Sequence, residues 1–294
     1  MQYAIQNAID AVSLGSLYAL LALGIALIFG IMQLINFAHG ELIMIGGYSL
    51  FFVLDVNWAL AIVGTLVIVI AFALAMERIA FRPVRGADPS TLLVTSFALS
   101  FFLQNVAILV FGSRPKGVGL SPQLSEFITI GNFRISKLSI LIVIVTAILL
   151  VSFALFLKRT TLGVQMRGAA EDFGVTRLLG VRANVVIAAA FALSGLLAAI
   201  ASLLLVSQTA TLTPTMGVTP VIIAFIATVI GGMGSLPGAV VGGFFLGCLT
   251  VSLQASLPLE LRLYRDAFTF GAVILVLLLR PQGIVVTRAA RTRI

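Results

Sequence analysis

The chain is 294 residues long, 61% hydrophobic and only 10% charged, with a mean hydropathy of +1.20. Soluble domains carry about 25% charged residues, so this composition excludes water as the main solvent and requires a bilayer. The net charge of +8 is accounted for by basic loops and calls for no nucleic-acid partner, and a single cysteine, Cys248, excludes a disulfide framework within the chain.

The first ten residues, MQYAIQNAID, lack a basic region ahead of the apolar stretch, which favours a retained first span over a cleaved signal. Residues 11–35 then run uncharged, more than the ~20 residues a helix needs to cross. Residues 42–54 are apolar but short, and residues 58–76 form a full span ending at Glu77, Arg78, Arg82 and Arg85. Residues 91–111 span again. A mixed segment with Pro115 and Pro122 follows over 112–137, and residues 138–157 cross once more. From 183 to 259 there is no charge, room for three helices with breaks at Pro214, Pro220 and the run GGMGSLPG at 231–238. A last span over 261–279 precedes a tail with Arg288, Arg291 and Arg293. The expected fold is an all-α polytopic membrane protein of eight or nine helices with short broken or re-entrant segments, one domain over 1–294.

Lysine and arginine placement sets the orientation. With nine spans and the N-terminus outside, twelve of the 18 basic residues are cytoplasmic: Arg78, Arg82, Arg85, Lys158, Arg159, Arg167, Arg177, Arg182, Arg280, Arg288, Arg291 and Arg293. Arg114, Lys116, Arg134, Lys137, Arg262 and Arg265 fall outside. If residues 42–54 only dip into the membrane, the count is eight and the N-terminus lies inside.

Residues 158–182 are the wet stretch of the chain. Asp172 is placed to cap a short helix over 173–179, with Gly180 as its left-handed stop and Arg177 suiting the C-terminal dipole. Phe173, Leu178 and Leu179 leave apolar knobs on it, so this helix rests on lipid headgroups or on another protein.

Two interruptions stand out. Asn36, Phe37, Ala38, His39, Gly40 and Glu41 include the only histidine; the second holds Gly231, Gly232, Gly234 and Ser235. Either they border a conduit, with half-helix ends facing a cavity, or they are tight turns at the membrane surface. Both are placed near the cytoplasmic side and so are not expected to be inverted-repeat mates. His39 and Glu41 read as a proton relay or, more simply, as interfacial groups that bond each other or nearby backbone. One histidine without a cysteine partner argues against a metal site. Asp10, Asp55 and Glu126 read as solvated, and Glu77 with Arg78 as a surface pair. Gln104 and Asn105 either hydrogen-bond a substrate or glue helices together, and the small residues at 188–192 and 195–201, with Gly242, Gly243 and Gly247, allow close helix packing.

There is no GxxxxGK[ST], HExxH or GxSxG, and no set of acid, base and nucleophile for an enzyme. The span centres read as free of charge. A transporter built this way takes its energy from outside, through 158–182.

Taken together, INFAHGELIMIGGY (35–48), ERIAFRPVRG (77–86), TTLGVQMRGAAEDFGVTRLLGV (160–181), LTPTMG (212–217), IGGMGSLPGA (230–239) and RPQG (280–283) resemble the LivH-type permeases of bacterial branched-chain amino acid ABC importers. The resemblance implies an ABC importer permease in the inner membrane, paired with a LivM-like second permease, two ATPase subunits and a periplasmic binding protein. ATP and Mg would sit on the ATPase partners, with no cofactor on this chain. It further implies ATPase coupling through Glu171, Asp172, Phe173, Arg177, Leu178 and Gly180. Gly174 departs from the better helix formers of relatives and is expected to shorten or loosen that helix. Urea or short amides are cargo of similar permeases. A self-contained channel or ion-driven carrier using Asn36, His39 and Glu41 is the alternative of another class.

Overall fold

The computed structural model describes residues 2–54, 57–118, 126–130 and 133–285; Asp55, Pro122, Arg288, Arg291 and Arg293 lie outside the described residues. The helices are α1 (Gln2–Met32), α2 (His39–Leu54), α3 (Trp58–Met76), α4 (Pro89–Phe111), α5 (Lys137–Arg159), α6 (Thr161–Glu171), α7 (Phe173–Leu178), α8 (Ala183–Thr209), α9 (Val218–Gly231), α10 (Leu236–Ser256) and α11 (Arg265–Leu279). Among the described residues, six are long and apolar enough to cross a membrane: α1, α3 with its extension to Phe81, α4, α5, α8 and α10. Helices dominate because an apolar solvent offers backbone groups no partner but their own segment.

α1 is the axis of the bundle: 89% of its most apolar window is buried, against 11% for α4 and 17% for α5. It lies antiparallel to α10, where Gly243 faces Ala19 and Gly247 faces Gly15 so closely that a Cβ on either glycine would meet backbone. A Cβ on Gly195 of α8 would meet the Ala73 methyl of α3, and one on Gly242 of α10 the Ala227 backbone of α9. Lipid supplies no hydrophobic drive between helices, so close approach at small residues provides the packing. Gly195, Gly242, Gly243 and Gly247, expected to allow close packing, do so.

The two long helices α1 and α8 stop in the same manner. Gln33 (φ 54°) and Ala210 (φ 52°) are the non-glycine residues with positive φ among those described, and each turns the chain out of its helix. A non-helical run follows, 33–38 and 210–217, and then a short apolar helix, α2 or α9. The partners repeat as well. α2 packs on α3 and α8, and α9 packs on α10 and α1, while α1 pairs with α10 as α8 pairs with α3. The units α1–α2–α3 and α8–α9–α10 are therefore inverted copies of one architecture. The mate of 33–38 is 210–217; the turn at 231–238 is not its mate, as expected.

Each non-helical run and its short helix together join two long helices as one broken pass. Residues 39–54 are the helical part of a pass whose first part, 33–38, is a non-helical run ending in a turn. The uncharged stretch from 183 divides into α8, α9 and α10 as expected. The last span starts later than expected, at Arg265, after a 3-10 helix over Leu259–Tyr264.

At the end of the bundle that carries the start of α1, β1 (Lys116–Gly117) pairs antiparallel with β4 (Thr211–Leu212), and β2 (Phe127–Ile130) with β3 (Phe133–Ser136). Lys116 Nζ lies 5.1 Å over the Phe51 ring and within 6 Å of Phe52 and Phe111, at 5.8 and 5.9 Å. At the opposite end α3 runs on into a π-helical turn, Glu77–Phe81. Glu77 is buried and pairs with Arg85, not with Arg78, and Arg85 Nη1 donates to Asn184 Oδ1 at 2.8 Å. Glu77 is thus an internal brace between α3 and the start of α8, not a surface pair. Adjacent residues on a helix do not face each other, and the wide π turn, with the turn that follows it, carries Arg85 back to the carboxylate. Burial lowers the Arg85 guanidinium from its usual value.

Replacing Gly243 with Leu is expected to force α1 from α10 and to cost about 1 to 3 kcal/mol, the range for overpacked cores. Thermal unfolding of the purified variant in detergent checks this; an unchanged midpoint would mean that the two helices are not held at this contact.

Candidate functional site

α2 and α9 touch at their first turns. A Cβ on Gly40 would collide with the Gly217 backbone, and one on Gly217 with that of Gly40. Phe37, before α2, stacks on Phe97 with centroids 4.2 Å apart and lies 5.8 Å from Phe225 of α9. Around this crossing gather the polar groups of the first break.

Glu41 is 1% exposed. Its Oε1 accepts from Ser100 Oγ at 2.8 Å and from Gln104 Nε2 at 2.7 Å. Ser100 lies halfway along α4, so a carboxyl group sits at mid-height of the bundle. The expectation of span centres without charge is overturned. A sequence window reads a broken helix as a surface loop, whereas the non-helical run 33–38 carries Glu41 inward.

His39 is also 1% exposed, and it turns away from Glu41. Residues two apart on a helix point to different sides. The Ser194 hydroxyl donates to Gly24 O at 2.9 Å and lies 3.1 Å from His39 Nδ1. His39 thereby locks α1, α2 and α8 together. These residues are neither interfacial nor bonded to each other.

Ser96 Oγ, on the same face of α4 as Ser100, accepts from Phe37 N at 3.4 Å and lies 3.2 Å from Ile35 O. The largely exposed α4 is thus tied to the bundle through serine and glutamine contacts with the broken segment. Four buried atoms there have no partner among the described residues: both side-chain polar atoms of Asn36, His39 Nε2 and Glu41 Oε2. An unpartnered buried polar group costs ~1 to 3 kcal/mol, which is the condition under which a water or a ligand group is held.

The second set, Gly231, Gly232, Gly234 and Ser235, forms the α9–α10 turn. Gly232 and Gly234 take φ 109° and 86°, and Ser235 Oγ accepts from Gly238 N at 3.0 Å to cap α10. Ile284 N and Val285 N donate to Ile230 O and Gly231 O at 2.7 and 3.0 Å, tying the chain after α11 to this turn. Among the described residues no hydrogen bond joins it to Asn36, His39 or Glu41. Asn105 bonds its own helix, through Nδ2 to Phe101 O at 2.7 Å.

In the 158–182 segment the short helix forms as expected. Asp172 Oδ1 accepts from Val175 N at 2.9 Å, α7 runs Phe173–Leu178, and Gly180 takes φ 86°. The helix ahead of it, α6, is an addition, capped by Thr160 Oγ1 accepting from Gly163 N at 3.0 Å. Met166 and Ala169 of α6 are buried, and α6 packs on α1 and α5. Phe173 is not an outward knob: it packs inward against the core. Leu178 and Leu179 point out, 88% and 79% exposed, joined by exposed Val175. Glu171, Asp172, Arg177 and Gly180 are exposed around them.

Sequence reasoning passed over Ser100 and Ser194. A signal was present: Ser96, Ser100 and Gln104 recur every four residues on an otherwise apolar helix, a polar stripe at helical period.

The model of the family described as "Branched-chain amino acid transport system / permease component" matches residues 7–278. The high-affinity branched-chain amino acid transport system permease protein BraD of Pseudomonas aeruginosa is 36% identical, over 95% of this chain and 95% of its own. The permease protein LivH of the corresponding Escherichia coli K12 system is 37% identical over 96% and 95%. A probable LivH of Methanocaldococcus jannaschii is 25% identical over 93% and 90%.

Replacing Glu41 with Leu is expected to lower stability by about 1 to 3 kcal/mol, because Ser100 and Gln104 lose their acceptor. Glu41→Gln keeps an acceptor oxygen and should stay close to wild type. Melting curves of both variants give the order, and equal losses would deny Glu41 its bracing role.

Proposed function

Because the chain belongs to the family of permease components of branched-chain amino acid transport systems, we propose that it forms half of the path of an ATP-driven importer of branched-chain amino acids. The other half is a second, LivM-like permease. Two ATPase subunits bind ATP and Mg, and a periplasmic binding protein delivers the amino acid.

The observation that carries the coupling part is α7. A six-residue helix, capped at both ends, holds Val175, Leu178 and Leu179 in the open beside Asp172 and Arg177. Exposed apolar residues rimmed by charge suit a protein partner. α6 supports α7 rigidly from below, through Met166, Ala169 and the inward Phe173. Force on α7 therefore passes to α1, the central helix, which α6 touches near Gly30. Within the proposed coupling set, Leu178 makes the contact, Glu171 and Arg177 flank it, and Asp172 with Gly180 fixes its ends; Phe173 anchors it.

This end faces the cytoplasm in the proposal. It carries Arg78, Arg82, Arg85, Lys158, Arg159, Arg167, Arg177, Arg182 and Arg280, against Arg114, Lys116, Arg134, Lys137, Arg262 and Arg265 at the other end. The C-terminus is then cytoplasmic and the N-terminus periplasmic, in the bacterial inner membrane. The crossing of α2 and α9, with Asn36, His39, Gly40 and Glu41, borders the path. The turn of Gly231, Gly232, Gly234 and Ser235 serves its inner end, where the chain after α11 is fastened.

The double variant Leu178→Asp and Leu179→Asp should reduce co-purification of the ATPase subunits at least tenfold while the permease remains folded. Phe173→Asp places a charge inside the chain's own packing and should instead lower the amount of folded permease. Undiminished co-purification in the double variant would remove α7 from the contact. In the same cells, Arg177→Cys should react with an impermeant thiol reagent in inside-out vesicles only.

A further inference from the structure

A second set of polar groups lies at the outer end of the bundle, among the outer ends of α1, α5, α8 and α10 and the 3-10 helix. They line a cavity of about 610 Å³ with Asn7, Asp10, Ser13, Gln208, Arg262 and Arg265 on its walls. That is within the ~300 to 1,000 Å³ of small-molecule sites. Tyr3, Asn7, Asp10 and Leu14 recur on α1 at helical spacing and all face this space. The other side of the same helix end presents Ile5, Ile9 and Val12 to an apolar groove with Ile140 and Ile144 of α5. The outer end of α1 is therefore sorted into an apolar side and a polar side turned into the bundle. Asp10, as expected, and Arg262 are exposed to solvent at the mouth of this space.

The charges on the wall are of both signs and do not neutralise each other. Arg265 is committed, with Asp266 at 2.9 Å and Gln254 Oε1 at 2.9 Å. Arg262 gives Nε to Leu257 O at 3.3 Å, and its terminal nitrogens have no acceptor among the described residues. Asp10 receives one hydrogen bond, from Gln6 Nε2 at 3.3 Å, and no ion pair among the described residues. An unpaired carboxylate and an unpaired guanidinium on one cavity match a molecule that carries both opposite charges. A guanidinium offers parallel donors to a carboxylate, and a carboxylate accepts from an ammonium.

We propose that this cavity binds a free α-amino acid as a zwitterion, its carboxylate at Arg262 and its ammonium at Asp10, with the side chain against Leu14 and Val251. The assignment rests on the transport reading for its substrate class. It adds an outer station within this subunit, separate from the crossing of α2 and α9. The headgroup of phosphatidylethanolamine carries the same pair of charges and is the rival source.

The test uses the permease–ATPase complex, without binding protein, in phosphatidylglycerol nanodiscs, with radiolabelled leucine in equilibrium dialysis. Saturable binding is expected, weakened at least tenfold by Asp10→Asn and by Arg262→Gln while their melting temperatures stay at the wild-type value. Leucinamide, which lacks the carboxylate, and 4-methylpentanoate, which lacks the ammonium, should compete at least tenfold less well than leucine. Binding equal to wild type in both variants overturns the site. Loss of leucine binding on adding phosphatidylethanolamine gives the cavity to the lipid and overturns it too. Absent leucine binding in a complex that still takes up leucine with ATP and binding protein refutes the cavity alone. Absent uptake by that complex refutes the transport reading.

Discussion

The fold depends on how an interrupted helix can exist in a bilayer. A backbone that leaves the helix inside the membrane strands its N–H and C=O groups, and this is tolerated only where protein covers them. The chain meets the demand twice and in the same way, by starting the short helix of each broken pass against the other. Gly40 and Gly217 permit that contact because neither carries a side chain. Around it Ser96, Ser100, Gln104 and Ser194 supply the partners that water would otherwise give. α4, although mostly bare, is held to the bundle largely through this cluster.

A division of labour follows along the axis of the bundle. Small residues bring α1 to α10 and α3 to α8, giving two firmly packed pairs. The broken passes lie between them, and the first of them holds several unpartnered buried atoms. Regions that change shape are drawn from the less secured parts of a structure. α6 ties α7 to α1 and α8 as well as to the largely bare α5, so the exposed Leu178 and Leu179 are one short helix away from the best-packed helix of the bundle.

How much was legible depended on the range of the interaction. The cap by Asp172 and the stop at Gly180 were readable because both are settled within a few residues. The small-residue contacts were readable as positions but not as partners. The place of the first break was visible in the residues around His39, but its depth was not, since that is set by Gly217 and Ser194, far along the chain. Glu77 was assigned the wrong arginine because a π-helical turn leaves no clear mark in composition. Phe173 looked exposed because its surroundings are wet, yet the angle at which α6 delivers it turns the ring inward. In the candidate site, residue types could be named, whereas which groups meet is a tertiary fact.

The inverted architecture bears on how the protein enters the membrane. Two copies of one unit in opposite senses are nearly indifferent to which way up they sit, since turning the bundle over exchanges one copy for the other. The helices therefore carry little information about insertion, and the tie is broken in the loops. The corner after α3 holds Arg78, Arg82 and Arg85, and the matching corner after α10 holds only Arg262 and Arg265. These corners differ by one cation, and over the described chain the two ends differ by nine basic residues against six, a bias of the kind that is read during synthesis.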